Sequence, residues 1–143
     1  MWRRTARDRV FIAFLILSTV TVLTLDGELD GAVFEGVIDT VRGLYDAGTR
    51  ILVLNLTGLS FISSAGLVAV HAAMRLMRGE AAPDTEQGWE ALRGLRQEAD
   101  AGQVSTALRL FGVQDAIQKV LDRTGLGPLI PTYPDRAAAL AGG

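Results

Sequence analysis

Two adjacent serines, Ser63 and Ser64, are the residues whose type and position could carry chemistry. They lie where an apolar stretch ends and a predicted helix begins. A hydroxyl there can accept a hydrogen bond from the free N–H groups of the first helical turn, which would make it an N-cap. Alternatively, one serine is phosphorylated, because a phosphate there meets N–H donors and the positive end of the helix dipole. The residues alone leave both interpretations open.

A second group of candidate residues is acidic and consists of Asp26, Glu28 and Asp30. One interpretation is a polar turn that leads into a helix, with Gly27 permitting the bend. Carboxylates near serines also raise the question of acid–base catalysis. No residue supplies a base for Ser64 or an orienting third group, so we expect no enzymatic activity.

The composition excludes several other kinds of site. There are no cysteines, so disulfides, thiolate metal sites and thiol nucleophiles are absent. The lone histidine, His71, has no second histidine with which to hold zinc. It lies about two helical turns beyond Ser64, so it cannot reach that hydroxyl from the same helix. We expect it at the surface or in a groove. The net charge of −2 does not favour nucleic acid, and no glycine-rich phosphate loop indicates a nucleotide cofactor.

The 143 residues fit one domain preceded by a short basic segment. Residues 1–9 contain four arginines, and an uncharged run, Val10–Leu25, follows. The run is shorter than the roughly 20 residues that span a bilayer, and it is rich in β-branched and aromatic residues. We therefore predict two paired strands, no membrane association and a cytoplasmic location. Residues 10–143 would form the domain.

Further along the chain, strands alternate with helices, which is typical of an α/β protein. The first predicted helix has Asp30 as its start cap and Gly48 at its end, and a strand at Ile51–Leu56 follows it. A second helix begins after Ser63 and carries Leu67, Val70, Met74 and Met77 on one face. The remaining predicted elements are a strand at Ala107–Phe111, a helix from Val113 to Leu121 stopped by Gly125, an edge strand at Leu129–Tyr133 and a last helix at Asp135–Ala141.

An acidic, polar segment at about residues 79–104 interrupts this alternation. Asp84 could cap a helix there, and Trp89, Leu92 and Leu95 would give that helix a narrow apolar stripe. We read the segment as a helical insertion. It is either a solvated excursion that rests on the domain through Trp89 or a helix that docks a partner.

Three parts of the chain together resemble the STAS domain family. They are the LDGELD sequence of residues 25–30, the ILVLNLTGLSFISSAGL sequence of residues 51–67, and the two C-terminal helical stretches at residues 113–126 and 133–140. The resemblance implies a single α/β domain in which a mixed, mostly parallel sheet packs against amphipathic helices.

The resemblance also implies a function, that of an anti-sigma-factor antagonist in transcription regulation. Such a protein binds an anti-sigma factor that is a serine kinase, so that the sigma factor is set free. The kinase phosphorylates the antagonist, which then dissociates, and a serine phosphatase restores it. The family pattern Asp-Ser-Ser/Ala-Gly-Leu assigns the phosphoacceptor to Ser64, with Ser63 as the second choice.

The chain contains 13 arginines and one lysine, a ratio that is typical of proteins from GC-rich bacterial genomes.

By the same resemblance, the partner surface comprises Asp30, Ser63, Ser64, Ala65, Gly66 and Leu67. Two residues depart from the family pattern. Ser63 replaces the acid that usually precedes the phosphoacceptor, and Asn55 stands where the family often has Asp. An alternative function is therefore a non-phosphorylated STAS scaffold subunit of a membrane transport or larger signalling complex. An enzyme that uses the acidic turn would be a third class.

Overall fold

In the computed structural model of the protein, a ten-residue strand pairs with three others. This strand, β3 (Val20–Leu29), has the antiparallel β2 (Val10–Leu17) along one edge. On its other edge two parallel strands follow one another: β4 (Ile51–Asn55) pairs with its first half and β5 (Leu59–Ile62) with its last residues. The two strands predicted within residues 10–25 are confirmed.

In the described part of the chain the sheet has seven strands, five of which, β3 to β7, run parallel. β1 (Trp2–Arg4) adds to β2, β6 (Leu108–Phe111) adds to β4, and β7 (Thr132–Tyr133) adds to β6. The mixed, mostly parallel α/β sheet that the sequence predicts is therefore confirmed. The edge strand is shorter than predicted, because Leu129 lies in a 3-10 turn and is fully buried.

The structure describes residues 19–80 and 107–142 in full, together with the backbone of residues 2–4 and 10–17. Residues 81–104 of the predicted insertion, with Asp84 and the Trp89 stripe, lie outside the described residues. So do residues 5–9 of the basic segment.

Among the residues that the structure describes, four helices cover the two faces of the sheet. They are α1 (Phe34–Asp46), α2 (Ser64–Met77), α3 (Asp115–Thr124) and α4 (Arg136–Ala141). Strand leucines such as Leu23, Leu54 and Leu110 are buried in one core with residues of α1, α2 and α3. On the other face, Val53 and Phe111 form a smaller cluster with Ala139 of α4. Successive strand residues thus serve opposite cores.

Local signals in the sequence account for several helix ends. Gly125 adopts a left-handed conformation (φ 91°) immediately after α3, and Asp135 caps α4 by accepting a hydrogen bond from the N–H of Ala138 at 2.9 Å. The predicted cap at Asp30 is wrong. Its carboxylate accepts from the N–H of Ala32, and α1 starts after Val33, which makes no side-chain cap.

Two glycines, Gly36 and Gly43, lie on the exposed face of α1, and no heavy atom lies within 4 Å of where their Cβ atoms would be. We expect Gly43→Ala to raise the free energy of unfolding by about 0.5–1 kcal/mol, because alanine loses less backbone entropy in a helix. Urea unfolding measures this change. Gly48→Ala is the matched control and should destabilise, since Gly48 has φ 117°. An unchanged or lower value for Gly43→Ala would contradict the expectation.

Candidate functional site

The candidate site lies at the carboxyl ends of β3 and β5, two adjacent parallel strands. Asp30 follows the first strand and Ser63 follows the second. The N–H of Ser63 donates to the carbonyl of Leu29 at 2.9 Å, so the strand pairing continues up to the start of α2. The topology thereby brings together two loops that are far apart in sequence.

Gly66 lets the first turn of α2 approach the end of β3. A Cβ atom at this position would lie 2.6 Å from the carbonyl oxygen of Leu29 and 2.7 Å from Cγ1 of Ile62. A real side chain cannot occupy that space without moving the backbone. Nearby, a Cβ atom added to Gly31 would lie 3.8 Å from the Cβ atom of Ala65. The Asp30 loop and the α2 N-terminus therefore form one continuous surface.

Ser63 is the N-cap of α2. Its backbone is extended (φ −89°, ψ 176°), and its hydroxyl accepts a hydrogen bond from the N–H of Gly66 at 3.2 Å. The expectation of a serine cap at this junction is met, and Ser63 is the residue that provides it. Its side chain is half-buried and engaged with the helix.

Ser64 is the first residue of α2 and is exposed. Its hydroxyl makes no hydrogen bond to any residue that the structure describes. The first turn of the helix contains no acidic side chain. A negative group on Ser64 would consequently meet the positive end of the helix dipole without an acid in the same turn.

The other residues predicted to contact a partner divide by burial. Asp30, Ser63 and Ala65 are half-buried and Ser64 is exposed, whereas Gly66 and Leu67 are buried. The structure therefore brings the whole predicted set together. Its surface consists of the first residues of α2 and the Asp30 loop, and the two buried residues support it from below.

Asn55 uses both ends of its amide at the turn between β4 and β5. Its Oδ1 accepts from the backbone N–H and the hydroxyl of Thr57, at 3.1 and 2.7 Å. Its Nδ2 donates to the hydroxyl of Thr24 at 3.3 Å. An ionised aspartate has no donor for that last bond, which is a structural reason for asparagine in this chain.

The surface or groove position expected for His71 is wrong. The residue is 1% exposed in α2, and its Nδ1 has no hydrogen-bond partner among the described residues. Burial, followed by the positive charges of Arg75 and Arg78, lowers the pKa of His71 from 6.5 to about 4. The imidazole is therefore neutral at pH 7, and it lies two helical turns from Ser64, out of reach of that hydroxyl.

Phe61 is an exposed aromatic residue near the candidate site that the sequence analysis did not single out. In β5 both Ser60 and Phe61 are exposed, and 48% of the phenylalanine surface is accessible. Strict alternation would have placed Phe61 on the same side as the buried Leu59. No local sequence pattern predicts this departure from alternation at Phe61.

Within the described residues, no group of three or more histidine and acidic side chains could hold a metal ion. No helix in this part of the chain is long and apolar enough to cross a membrane.

A family model described as STAS domain matches residues 12–81, which include the two loops of the candidate site. The observed fold is that of a STAS domain, in agreement with this match. No curated protein matches the chain in sequence.

Solved anti-sigma-factor antagonists have a similar fold. One from Mycobacterium paratuberculosis is 18% identical, with 96% of each chain covered and a TM-score of 0.66. The Bacillus cell fate determinant SpoIIAA in its phosphorylated form is 22% identical, with 89% of this chain and 95% of that chain covered and a TM-score of 0.56. A STAS domain antagonist from Planctomyces limnophilus is 19% identical, with coverages of 92% and 97% and a TM-score of 0.56. At these identities the likeness establishes the fold.

The cap at Ser63 can be tested by substitution. We expect Ser63→Ala to lower the free energy of unfolding by about 1 kcal/mol, because the N–H of Gly66 loses its acceptor. Ser63→Asp should retain the stability, since a carboxylate also accepts this bond and favours the helix N-terminus. Ser64→Ala is the matched control and should change stability little. Equal losses for the two alanine variants, measured by urea unfolding, would rule out the cap.

The buried histidine predicts a pH dependence. The unfolded chain binds a proton on His71 near pH 6.5, whereas the folded protein binds it near pH 4, so stability falls as the pH drops through this interval. We expect His71 to contribute up to about 3 kcal/mol to the loss between pH 7 and pH 4. His71→Leu should lack this component. The measurement is the slope of the unfolding free energy against pH for each of the two proteins. Identical slopes would contradict the expectation.

Proposed function

We propose that this STAS domain is an anti-sigma-factor antagonist that is switched by phosphorylation of Ser64. The observation that carries the proposal is the position of this hydroxyl. It is exposed on the first residue of α2, next to the Asp30 loop and to Ser63, which caps the helix. The partner is an anti-sigma factor with serine kinase activity, and binding it frees a sigma factor for transcription.

The geometry favours Ser64 over Ser63 as the phosphoacceptor. The Ser63 hydroxyl is half-buried and accepts from the N–H of Gly66, so a kinase would have to break the cap to reach it. The Ser64 hydroxyl has no such bond among the described residues. In the transfer step, the Ser64 oxygen forms a bond to the γ-phosphorus of ATP, ADP leaves, and the hydroxyl proton is released.

A phosphate on Ser64 would change the surface more than the fold. The N-terminus of α2 tolerates an anion, because its dipole and free N–H groups favour negative charge. The added charge of about −2 lies beside the Asp30 loop, so a partner packed on this surface would have to desolvate it. The phosphorylated form therefore releases the kinase, and a serine phosphatase restores binding.

In this function the chain acts by binding and has no catalytic activity of its own. Its neutral, buried His71 lies too far from Ser64 to serve as its base. It requires neither a metal nor a cofactor, and it works in the bacterial cytoplasm, where sigma factors and their regulators meet. The kinase supplies ATP and the chemistry.

The test uses the full chain and the anti-sigma-factor serine kinases encoded in the same genome, each purified. With Mg-ATP, we expect one of them to phosphorylate the chain on Ser64, located by tandem mass spectrometry. Ser64→Ala should not be phosphorylated, whereas Ser63→Ala should still be modified on Ser64. Calorimetry should show that Ser64→Asp binds this kinase at least about tenfold more weakly than the wild type does, because charge is introduced into the contact.

Other outcomes would change the proposal. Phosphate on Ser63 would keep the switch and move its acceptor by one residue. A kinase that binds the chain without modifying it would overturn the phosphorylation step. Absence of both binding and phosphorylation with every kinase of this class would overturn the proposed function. That last result would favour the unphosphorylated scaffold, which the replacement of the usual acid by Ser63 also fits.

A further inference from the structure

Phe61 is the one large apolar side chain that is exposed in the part of the chain that the structure describes. Single exposed apolar residues are common on protein surfaces and need no explanation by themselves. Phe61 differs because a specific backbone irregularity sets its direction, and because it lies two residues before the N-cap of α2.

That irregularity is a β-bulge at Ser60. Gly27 pairs with Leu59 and Glu28 pairs with Phe61, so Ser60 is an extra residue without a partner on β3. The Ser60 hydroxyl donates to the carbonyl of Gly27 at 3.0 Å, which fixes the bulge. Bulges redirect side chains, and this one turns Phe61 outward while its neighbour Ile62 remains buried.

Acidic residues lie on β3 next to Phe61. Asp26 and Glu28 are two residues apart in β3 and lie on the same side of the strand, and Asp30 follows in the loop after it. Glu28 is directly opposite Phe61 in the register. Asp26 packs closely against Gly58 in the turn that leads into β5. An aromatic ring and carboxylates thus share one end of the sheet.

We infer that Phe61 is the apolar anchor of the partner contact, and that the partner offers an apolar pocket bordered by arginine or lysine side chains. This inference rests on the proposed function, since the occupant is the same kinase that reaches Ser64. A buried aromatic side chain commonly dominates the energy of such an interface. The carboxylates beside it complement basic residues and speed association.

The experiment measures the affinity of the kinase that binds the wild-type chain, by calorimetry with purified proteins. Phe61→Ser should weaken binding at least about 30-fold, as expected for a central aromatic contact, while Phe61→Leu should keep most of the affinity. Glu28→Lys should reduce the association rate by about tenfold at low salt, and the wild-type rate should fall as salt is added. Asp46→Lys, at the far end of α1, makes the same change of charge on an exposed residue and should bind as the wild type does.

The variants also separate this inference from the proposed function. Phe61 is half exposed, so Phe61→Ser should still fold and unfold cooperatively in urea, and its Ser64 should still accept phosphate at high kinase concentration. Wild-type affinity for Phe61→Ser would overturn the anchor and leave the Ser64 switch intact. An association rate that rises with salt, or that Glu28→Lys leaves unchanged, would overturn the basic character of the partner. If the wild-type chain binds no kinase, both proposals fall.

Discussion

The close approach between the start of α2 and the end of β3 is the constraint on which the site depends. The N–H of Ser63 donates to the carbonyl of Leu29, and Gly66 passes so near the same carbonyl that no Cβ fits between them. Any larger residue would push the helix away from the strand. The Asp30 loop and the first turn of α2 would then separate, and a partner would no longer meet them as one surface.

The start of α2 can approach the end of β3 because two strands, β4 and β5, share the same edge of β3. β4 ends at Asn55, and the chain turns and resumes as β5 farther along the same edge of β3. Asn55 stabilises the turn because its amide both accepts bonds from Thr57 and donates to Thr24. The chain therefore reaches the start of α2 through the turn after β4 and through β5, and not through one long strand.

The helix that follows is held firmly along most of its length. Residues 66–74 of α2 are all buried, His71 among them, and the neutral imidazole avoids a third positive charge beside Arg75 and Arg78. Ser64 is exposed at one end of this packed element. A modification there would alter the charge of the surface while the core that positions α2 remains unchanged, which suits a reversible contact.

The sequence by itself determined the alternation of strands and helices and the Gly125 stop, because apolar periodicity and capping chemistry act within a few residues. It also brought out the serine pair and the acidic turn as candidates. The tertiary structure decided the burial of His71, since its helix is covered on more sides than an amphipathic pattern implies. It likewise turned Phe61 outward, because the bulge at Ser60 arises from the register between β5 and β3. Such a register depends on contacts between distant parts of the chain, and no local pattern encodes it.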